Sequence, residues 1–276
     1  YDPQHGVSEE LNVQYEARLR EALEQGHLAI AFAPQLELGG ESMTALACVL
    51  KWNDPALGTV PETRALEAAE SGGFVRELTW WIYNNALRTA AALAEGGVRL
   101  PVVVNVRTSG LAQPDFAEFI ERALATWKVG PAQLTIEIHE SALTGEIEAL
   151  KEKLARLKAL GVRLSIGGFG SAAASLSGLA QLPLDEAKIS GEFVADMCGN
   201  HAHAKIVRSL AHLAQDLGLD VSAAGVVDAA TANALAALGC TRVEGPYCGP
   251  PLSSEDVLCS QLQRDANGTL PLAPKN

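Results

Sequence analysis

Apolar residues along the chain follow two spacings, one typical of buried strands and one typical of amphipathic helices. Short apolar runs predict eight strands, at residues 28–38, 43–52, 102–106, 134–138, 163–166, 186–189, 220–224 and 242–245. Helical spacing predicts helices at residues 114–127, 141–160, 175–181, 201–217 and 228–238, with further helical stretches between 61 and 95. Eight strands, most of them followed by a helix, predict a (β/α)8 barrel.

The first two strands depart from the regular barrel pattern. Only the residues from Gly39 to Ser42 separate them, and so short a connection favours an antiparallel pair. We therefore expect an α/β fold, a modified (β/α)8 TIM-type barrel with an antiparallel first strand.

The two ends of the chain predict segments outside this barrel. Leu11, Tyr15, Leu19 and Leu23 lie at helical spacing and predict a first helix that ends at Gly26. We expect residues 1–26 to be this helix and a linker from an upstream domain, 27–263 to be the barrel, and 264–276 to be a C-terminal tail. The chain begins at Tyr1 rather than Met, so we expect a piece of a longer protein.

Composition narrows the classes of partner. The formal net charge of −12 disfavours a polyanion, so nucleic acid is not expected as a partner. The longest apolar runs fall short of the roughly 20 residues that a membrane span requires, so no membrane contact is expected. The five cysteines are widely spaced, without a Cys-x-x-Cys pair, and they favour reduced thiols in a cytoplasmic domain.

Chemistry in such barrels is built at the carboxyl ends of the strands. The residues at those ends are Lys51, Asn105, Glu137, Gly167, Gly168, Lys188, Ala224 and Glu244. A buried charge is expensive unless it is paired, so Glu137 and Lys188 must each be satisfied. Two interpretations follow: a ligand or metal site, or a mutual ion pair of Glu137 with Lys188 that closes the barrel mouth.

Several stretches at these ends make the chain resemble the EAL family, the phosphodiesterases and receptors of the second messenger cyclic di-GMP. The resemblance covers residues from about 19 to 252. The matching stretches, in the family's order, are FAPQ (32–35), LKWN (50–53), VVNV (103–106), EIHESAL (137–143), FGS (169–171), LPLD (182–185), AKI (187–189), LGC (238–240) and GPPL (249–252).

An active member of this family needs two divalent metal ions, held by carboxylates and an asparagine, to activate a water. The resemblance implies that Asn105 and Glu137 match metal ligands and that Lys188 matches the lysine that helps place the water. At the positions of the family's other metal-binding carboxylates, this chain has residues without a carboxylate: Ala47, Gly167, Gly168 and Ala224. We therefore expect that the Mg²⁺ or Mn²⁺ site is lost, that no cofactor is bound, and that the domain is not an enzyme.

The resemblance also implies a changed nucleotide site. Ala33 stands where the family has a glutamine, Lys51 where it has an arginine, and Glu244 where it has a glutamine. Lysine is a point charge without the planar fork of arginine, so the change at Lys51 is not neutral. Glu140 matches the glutamate that steadies the loop after the strand ending near Gly168.

These observations favour a catalytically inactive signalling domain that acts as a regulatory or protein-interaction module. The alternative is a cyclic di-GMP receptor that binds without hydrolysis, and an active phosphodiesterase comes third. The expected partners are an unidentified protein or an upstream GGDEF-type domain, with cyclic di-GMP and a second copy of the chain as further possibilities.

Overall fold

The computed structural model describes residues 3–39, 42–144, 147–171 and 176–267. The strands in these ranges are β1 (Leu28–Glu37), β2 (Met43–Asp54), β3 (Gly58–Val60), β4 (Val102–Val106), β5 (Leu134–His139), β6 (Arg163–Phe169), β7 (Glu186–Ile189), β8 (Asp220–Ala223) and β9 (Arg242–Glu244). The α-helices are α1 (Pro3–Gln25), α2 (Glu62–Ser71), α3 (Val75–Glu95), α4 (Thr108–Leu111), α5 (Phe116–Trp127), α6 (Ile147–Ala159), α7 (Leu176–Leu179), α8 (Gly191–Val194), α9 (His201–Asp216), α10 (Ala229–Ala237) and α11 (Ser254–Asn267). Short 3-10 segments cover Pro131–Gln133, Glu140–Thr144 and Pro246–Cys248.

Eight of these strands close into a barrel. Strands β2 and β4 to β9 are parallel, each paired with the next in the chain. Strand β1 is antiparallel to both β2 and β9 and closes the ring between them. Because β1 runs against the other strands, its first residue, Leu28, lies opposite Trp52 near the end of β2. The predicted α/β barrel with an antiparallel first strand is confirmed.

Strand β3 was not among the eight predicted strands. It pairs with the end of β2 and continues that strand into a short hairpin. One carboxylate oxygen of Asp54 accepts hydrogen bonds from the backbone N–H groups of Ala56 (2.8 Å) and Leu57 (2.9 Å) and so holds the turn. The sequence from Asp54 to Gly58 carries the residue types of such a turn, but three residues are too few for an apolar pattern to show.

Two helices differ from their expected bounds. The helix expected over residues 141–160 is instead the 3-10 segment Glu140–Thr144 followed by α6. The last helix, α11, continues to Asn267, past residue 263 where we placed the end of the barrel. The rest of the expected C-terminal tail, from residue 268 onward, lies outside the described residues.

The inside and the outside of the barrel are packed differently. On β4, Val102, Val104 and Val106 join the main hydrophobic core between strands and helices. The intervening residue Val103 faces the lumen, where it forms a separate small apolar cluster with Ala45, Ala47 and the partly buried Ala33. Alternation along a strand accounts for this division. Because these side chains are small, they leave space at the centre of the lumen, and polar residues from the other strands occupy it.

Helix α1 packs against the barrel rather than standing apart from it. Leu19 and Ala22 are buried in the main core. Arg18 forms an ion pair with Asp54 (3.2 Å), and the ring of Tyr15 lies edge-on to Trp52 with the centroids 6.2 Å apart. The segment expected as a helix and linker is therefore, from Tyr15 onward, part of the packed domain.

Candidate functional site

A cavity of about 520 Å³ opens at the carboxyl ends of β4, β5 and β6. Helix α2 covers one side of it, and the first residues of the loops after the three strands form the rest. The lining residues are Glu62, Thr63, Leu66, Glu70, Asn105, Val106, Arg107, Thr108, Glu137, His139, Ser141, Gly167 and Gly168. We call this the mouth cavity. It brings together four of the sequence-predicted positions, Asn105, Glu137, Gly167 and Gly168.

Lys188 lies at the barrel centre beside this cavity, between two carboxylates. Its Nζ is 2.5 Å from Oε2 of Glu137 and 2.9 Å from Oε2 of Glu244. The same oxygen of Glu244 accepts a hydrogen bond of 2.7 Å from Nε2 of Gln35. Only 3% of the Lys188 side chain is exposed, so its ammonium is almost fully shielded from solvent. Of the two interpretations from sequence, the structure contains the ion pair, extended by Glu244 and Gln35.

Burial and pairing act in opposite directions on the pKa values of this group. Burial alone lowers the pKa of Lys188, but Glu137 and Glu244 outweigh it and hold that pKa above its usual value. Burial raises the pKa of Glu137, the charge of Lys188 lowers it, and repulsion by the charge of Glu244 raises it again, so the pKa stays above its usual value. Burial also opposes the ionisation of Glu244, yet Lys188 and Gln35 keep its pKa below the usual value. The ammonium is therefore firmly charged, and of its two partners Glu244 is the carboxyl whose pKa is lowered, whereas that of Glu137 is raised.

Two glycines leave room for the side chains next to them. A Cβ at Gly167 would lie 2.7 Å from Oε1 of Glu137. Gly168 has φ +67°, and a Cβ there would lie 2.6 Å from Nε2 of His139. His139 is held in place at its other ring nitrogen, Nδ1, which accepts a hydrogen bond from the backbone N–H of Ser141 (3.2 Å). The space beside Gly167 and Gly168 is thus taken by Glu137 and His139.

The wall formed by α2 holds residues that sequence reasoning missed. Oε1 of Glu70 accepts hydrogen bonds from Nε of Arg107 (2.9 Å) and Oγ of Ser109 (2.6 Å). Oε1 of Glu62 accepts one from the backbone N–H of Leu50 (3.3 Å). Burial raises the pKa of Glu62, with Leu50 and the nearby charge of Lys51 acting against it. The spacing of Glu62, Leu66 and Glu70, four residues apart, is the signal that places them on one helix face.

The other predicted positions lie away from the mouth cavity. Glu140 is buried, and its Oε2 accepts a hydrogen bond of 3.0 Å from the backbone N–H of Gly170. Ala33 and Ala47 face each other in the small apolar cluster of the lumen. Ala224 follows directly after β8, two strands away from β6, and its backbone N–H donates to the carbonyl of Ile189. Residues 172–175 of the loop after β6 lie outside the described residues.

The residues present do not fit the pair of divalent metal ions that the resemblance implies. Mg²⁺ and Mn²⁺ prefer several carboxylate oxygens in an octahedral arrangement. Within the described ranges, no three His, Cys, Asp or Glu side chains are grouped closely enough to hold a metal ion. The carboxylate of Glu137 already has an ammonium group 2.5 Å away. We therefore derive no chemical step through a metal.

Comparison with known proteins identifies the family of this barrel. The sequence model of the EAL domain matches residues 16–251. The chain is 31% identical over 241 residues to the cyclic di-GMP phosphodiesterase NbdA of Pseudomonas aeruginosa, covering 87% of this chain and 31% of NbdA. It is 29% identical over 243 residues to the bifunctional diguanylate cyclase/cyclic di-GMP phosphodiesterase MucR of the same organism, covering 88% of this chain and 36% of MucR.

The fold agrees with that result. A solved structure of the MucR phosphodiesterase in complex with cyclic di-GMP superposes with a TM-score of 0.85 at 28% identity, covering 88% of this chain and 99% of that one. The chain spans about a third of the length of MucR and NbdA. No helix among the described residues is long and apolar enough to cross a membrane. The family match over most of its length shows that this chain belongs to the EAL domain family.

Proposed function

We propose that this EAL domain is catalytically inactive and works in cyclic di-GMP signalling as a regulatory or protein-interaction module. The observation that carries the proposal is the position of the Lys188 ammonium, buried between Glu137 and Glu244. An ammonium group balances these charges, but it cannot polarise a phosphodiester and generate a hydroxide as a metal ion does.

The surrounding positions support the same conclusion. The side chains of Ala47 and Ala224 have no atom that could coordinate a metal ion. The space beside Gly167 and Gly168 is filled by Glu137 and His139. Metal-bound hydroxide and metal stabilisation of the leaving oxygen account for a large part of the rate of such hydrolases. A site without a metal ion can at most orient the substrate. Its rate of cleavage is then several orders of magnitude below that of a metal-containing hydrolase.

A hydrolysis assay tests this proposal. The purified domain is incubated with cyclic di-GMP and Mg²⁺ or Mn²⁺, and linear dinucleotide is measured by chromatography, with the phosphodiesterase domain of MucR as the positive control. We expect no product above the rate without protein. Product that forms with the wild type and disappears with Lys188→Ala would overturn the proposal, since Lys188 is the family's water-placing position.

The second candidate function is a cyclic di-GMP receptor that binds without hydrolysis. Two observations favour it: the similar MucR domain was solved with this nucleotide, and the exposed amide of Asn105 lines the mouth cavity. Against it, Arg107 is already bound to Glu70, and Lys51 offers a single point charge. We therefore expect weak or no binding of the nucleotide.

Calorimetric titration with cyclic di-GMP, with and without Mg²⁺, separates the two candidates. A module that acts through proteins gives no saturable heat at micromolar nucleotide. Saturable binding that is weakened by Asn105→Ala would make the domain a receptor, with the ligand across the strand ends. The matched control is Asn53→Ala, because Asn53 is exposed on the β2–β3 hairpin outside the cavity.

A further inference from the structure

Buried polar atoms without a partner are concentrated in the lumen of the barrel. Among the described residues, five buried side-chain atoms have no hydrogen-bond partner, and four of them belong to lumen residues, Gln35, Thr135, Glu137 and Ser165. The atom of Glu137 is Oε2, which has a charged partner because it lies 2.5 Å from the ammonium of Lys188. The lumen atoms left without any partner are Oε1 of Gln35, Oγ1 of Thr135 and Oγ of Ser165.

The two hydroxyl groups face the lumen because of the alternation along their strands. Leu134 on β5 and Leu164 on β6 belong to the main core outside the ring of strands. Thr135 and Ser165 follow them directly and therefore face the inside. Their exposed fractions are 1% and 0%, so bulk solvent does not supply the missing hydrogen bonds.

The unpartnered oxygen of Gln35 has an orientation that follows from its neighbour. Nε2 of Gln35 is 2.7 Å from Oε2 of Glu244, and an ionised carboxylate can only accept, so the amide N–H faces Glu244 and Oε1 faces away from it. Strand β1, which carries Gln35, lies opposite β6 in the ring of eight, with three strands between them on either side. Gln35 and Ser165 are therefore on opposite walls of the lumen.

The residues on these two walls are small. The interior of a regular barrel is filled by bulky branched side chains. Here the lumen positions include Ala33 on β1, Ala45 and Ala47 on β2, and Gly167 on β6. Water is small enough for gaps between such residues, and it both donates and accepts hydrogen bonds. A larger ligand would have no access, because the residues with the unpartnered atoms are at most 1% exposed.

We infer that ordered water molecules are bound inside the barrel, where they donate to Oε1 of Gln35 and form hydrogen bonds with the hydroxyl groups of Thr135 and Ser165. Buried polar groups without a partner cost free energy, and water recovers it. Folded proteins hold roughly one buried water per 27 residues, typically at such groups. The inferred site lies deeper in the barrel than the mouth cavity, because Thr135 and Ser165 each precede a cavity residue of the same strand, Glu137 and Gly167, by two positions. It goes beyond the proposed function and does not depend on it.

A crystal structure of the whole domain, at a resolution that shows ordered water, tests the inference. We expect water density at about 2.7–3.2 Å from Oε1 of Gln35, Oγ1 of Thr135 and Oγ of Ser165. In solution, nuclear Overhauser transfer from water to the amides of residues 135 and 165 should have the sign of a long-lived complex. A lumen without water density, or density that shows the three atoms bonded to protein groups instead, would overturn the inference.

The variant Thr135→Val gives a second test, because it exchanges the hydroxyl group for a methyl group of similar size. If the hydroxyl binds water, its removal takes a partner from that water and lowers the urea midpoint. If the hydroxyl is dry, its removal relieves an unpartnered polar group and raises the midpoint. We expect a lower midpoint, together with loss of the water signal at residue 135. An equal or higher midpoint would overturn the inference.

The matched control is Thr59→Val. Thr59 is exposed on β3, outside the lumen, so this exchange should leave the water signals at residues 135 and 165 as they are in the wild type. Equal loss of the water signals in both variants would show that they do not come from the lumen and would also overturn the inference.

Discussion

At the scale of single residues, Lys188 sets the charge balance of the barrel centre. Its single positive charge lies between two carboxylates that are themselves largely buried, Glu137 and Glu244. A buried ion pair gains little over an apolar replacement of the whole group, but removing one member leaves an uncompensated charge. The structural importance of this residue is therefore separate from any role in chemistry.

We expect Lys188→Met to lower the free energy of unfolding by about 3–5 kcal/mol, because two carboxylates lose their buried partner. Urea unfolding followed by circular dichroism measures the change. Lys151→Met, at an exposed position on α6, is the control and should change stability by less than about 0.5 kcal/mol. The double variant with Glu137→Gln should recover part of the loss, and a Lys188→Met domain as stable as the wild type would contradict the prediction.

Part of this residue network can be predicted from the sequence. Glu137 and Lys188 end two predicted strands, and charges at the ends of parallel strands meet at one edge. Gln35 could not be placed in the same way, because its contact with Glu244 depends on the register of β1 against β9. Neither strand carries a pattern that fixes that register, and a shift of one residue would turn Gln35 out of the lumen.

At the scale of elements, α1 is held to the barrel by Arg18 and Asp54. Burial opposes the ionisation of Asp54, but the N–H groups of Ala56 and Leu57 and the charge of Arg18 outweigh it, so its pKa is lowered. A lowered pKa means that the unfolded chain binds this proton more tightly than the folded protein does. The contribution of Asp54 to stability is therefore complete above about pH 4 and is lost as the pH falls through the folded pKa.

We expect Asp54→Asn to reduce stability near neutral pH and to have less effect as the pH approaches 3. An asparagine oxygen can still accept from Ala56 and Leu57, so the substitution removes the charge and keeps the turn. Urea midpoints between pH 3 and 7 measure the difference from the wild type. Asp216→Asn, which removes the same charge at the exposed end of α9, is the matched control. A difference that grows on acidification would contradict the assignment.

Helices and strands with a long apolar pattern could be predicted from the sequence. The β1–β2 hairpin was predicted from its short connection and was confirmed. Residues 141–144 were predicted as part of an α-helix and instead belong to the 3-10 helix Glu140–Thr144, whose first side chain accepts a hydrogen bond from the backbone N–H of Gly170. Such a tertiary contact leaves no trace in helical spacing.

At the scale of the whole molecule, the exposure of the five cysteine thiols shows how closely different parts of the fold are packed. Cys198 and Cys259 are exposed, whereas Cys48 and Cys240 are buried and Cys248 is half-buried. Burial raises the pKa of Cys240 to about 12 and that of Cys248 to about 11, which keeps both as unreactive thiols near neutral pH.

We expect the folded protein to present two thiols that react rapidly with Ellman's reagent at pH 8, and five after unfolding in urea. Absorbance of the released chromophore counts them directly. The double variant Cys198→Ser/Cys259→Ser should show no rapid phase. Rapid modification of a third thiol in the wild type would mean that the core is more open than the structure describes.

The antiparallel first strand also determines where a mechanical signal would arrive. In a regular (β/α)8 barrel the chain enters at the end opposite the catalytic loops, but here Leu28 lies beside the end of β2, so α1 joins the barrel at its mouth. Helix α1 packs on α2, whose Glu62 and Glu70 form a wall of the mouth cavity. Torque applied to α1 would thus turn that wall directly, without having to deform the closed ring of strands.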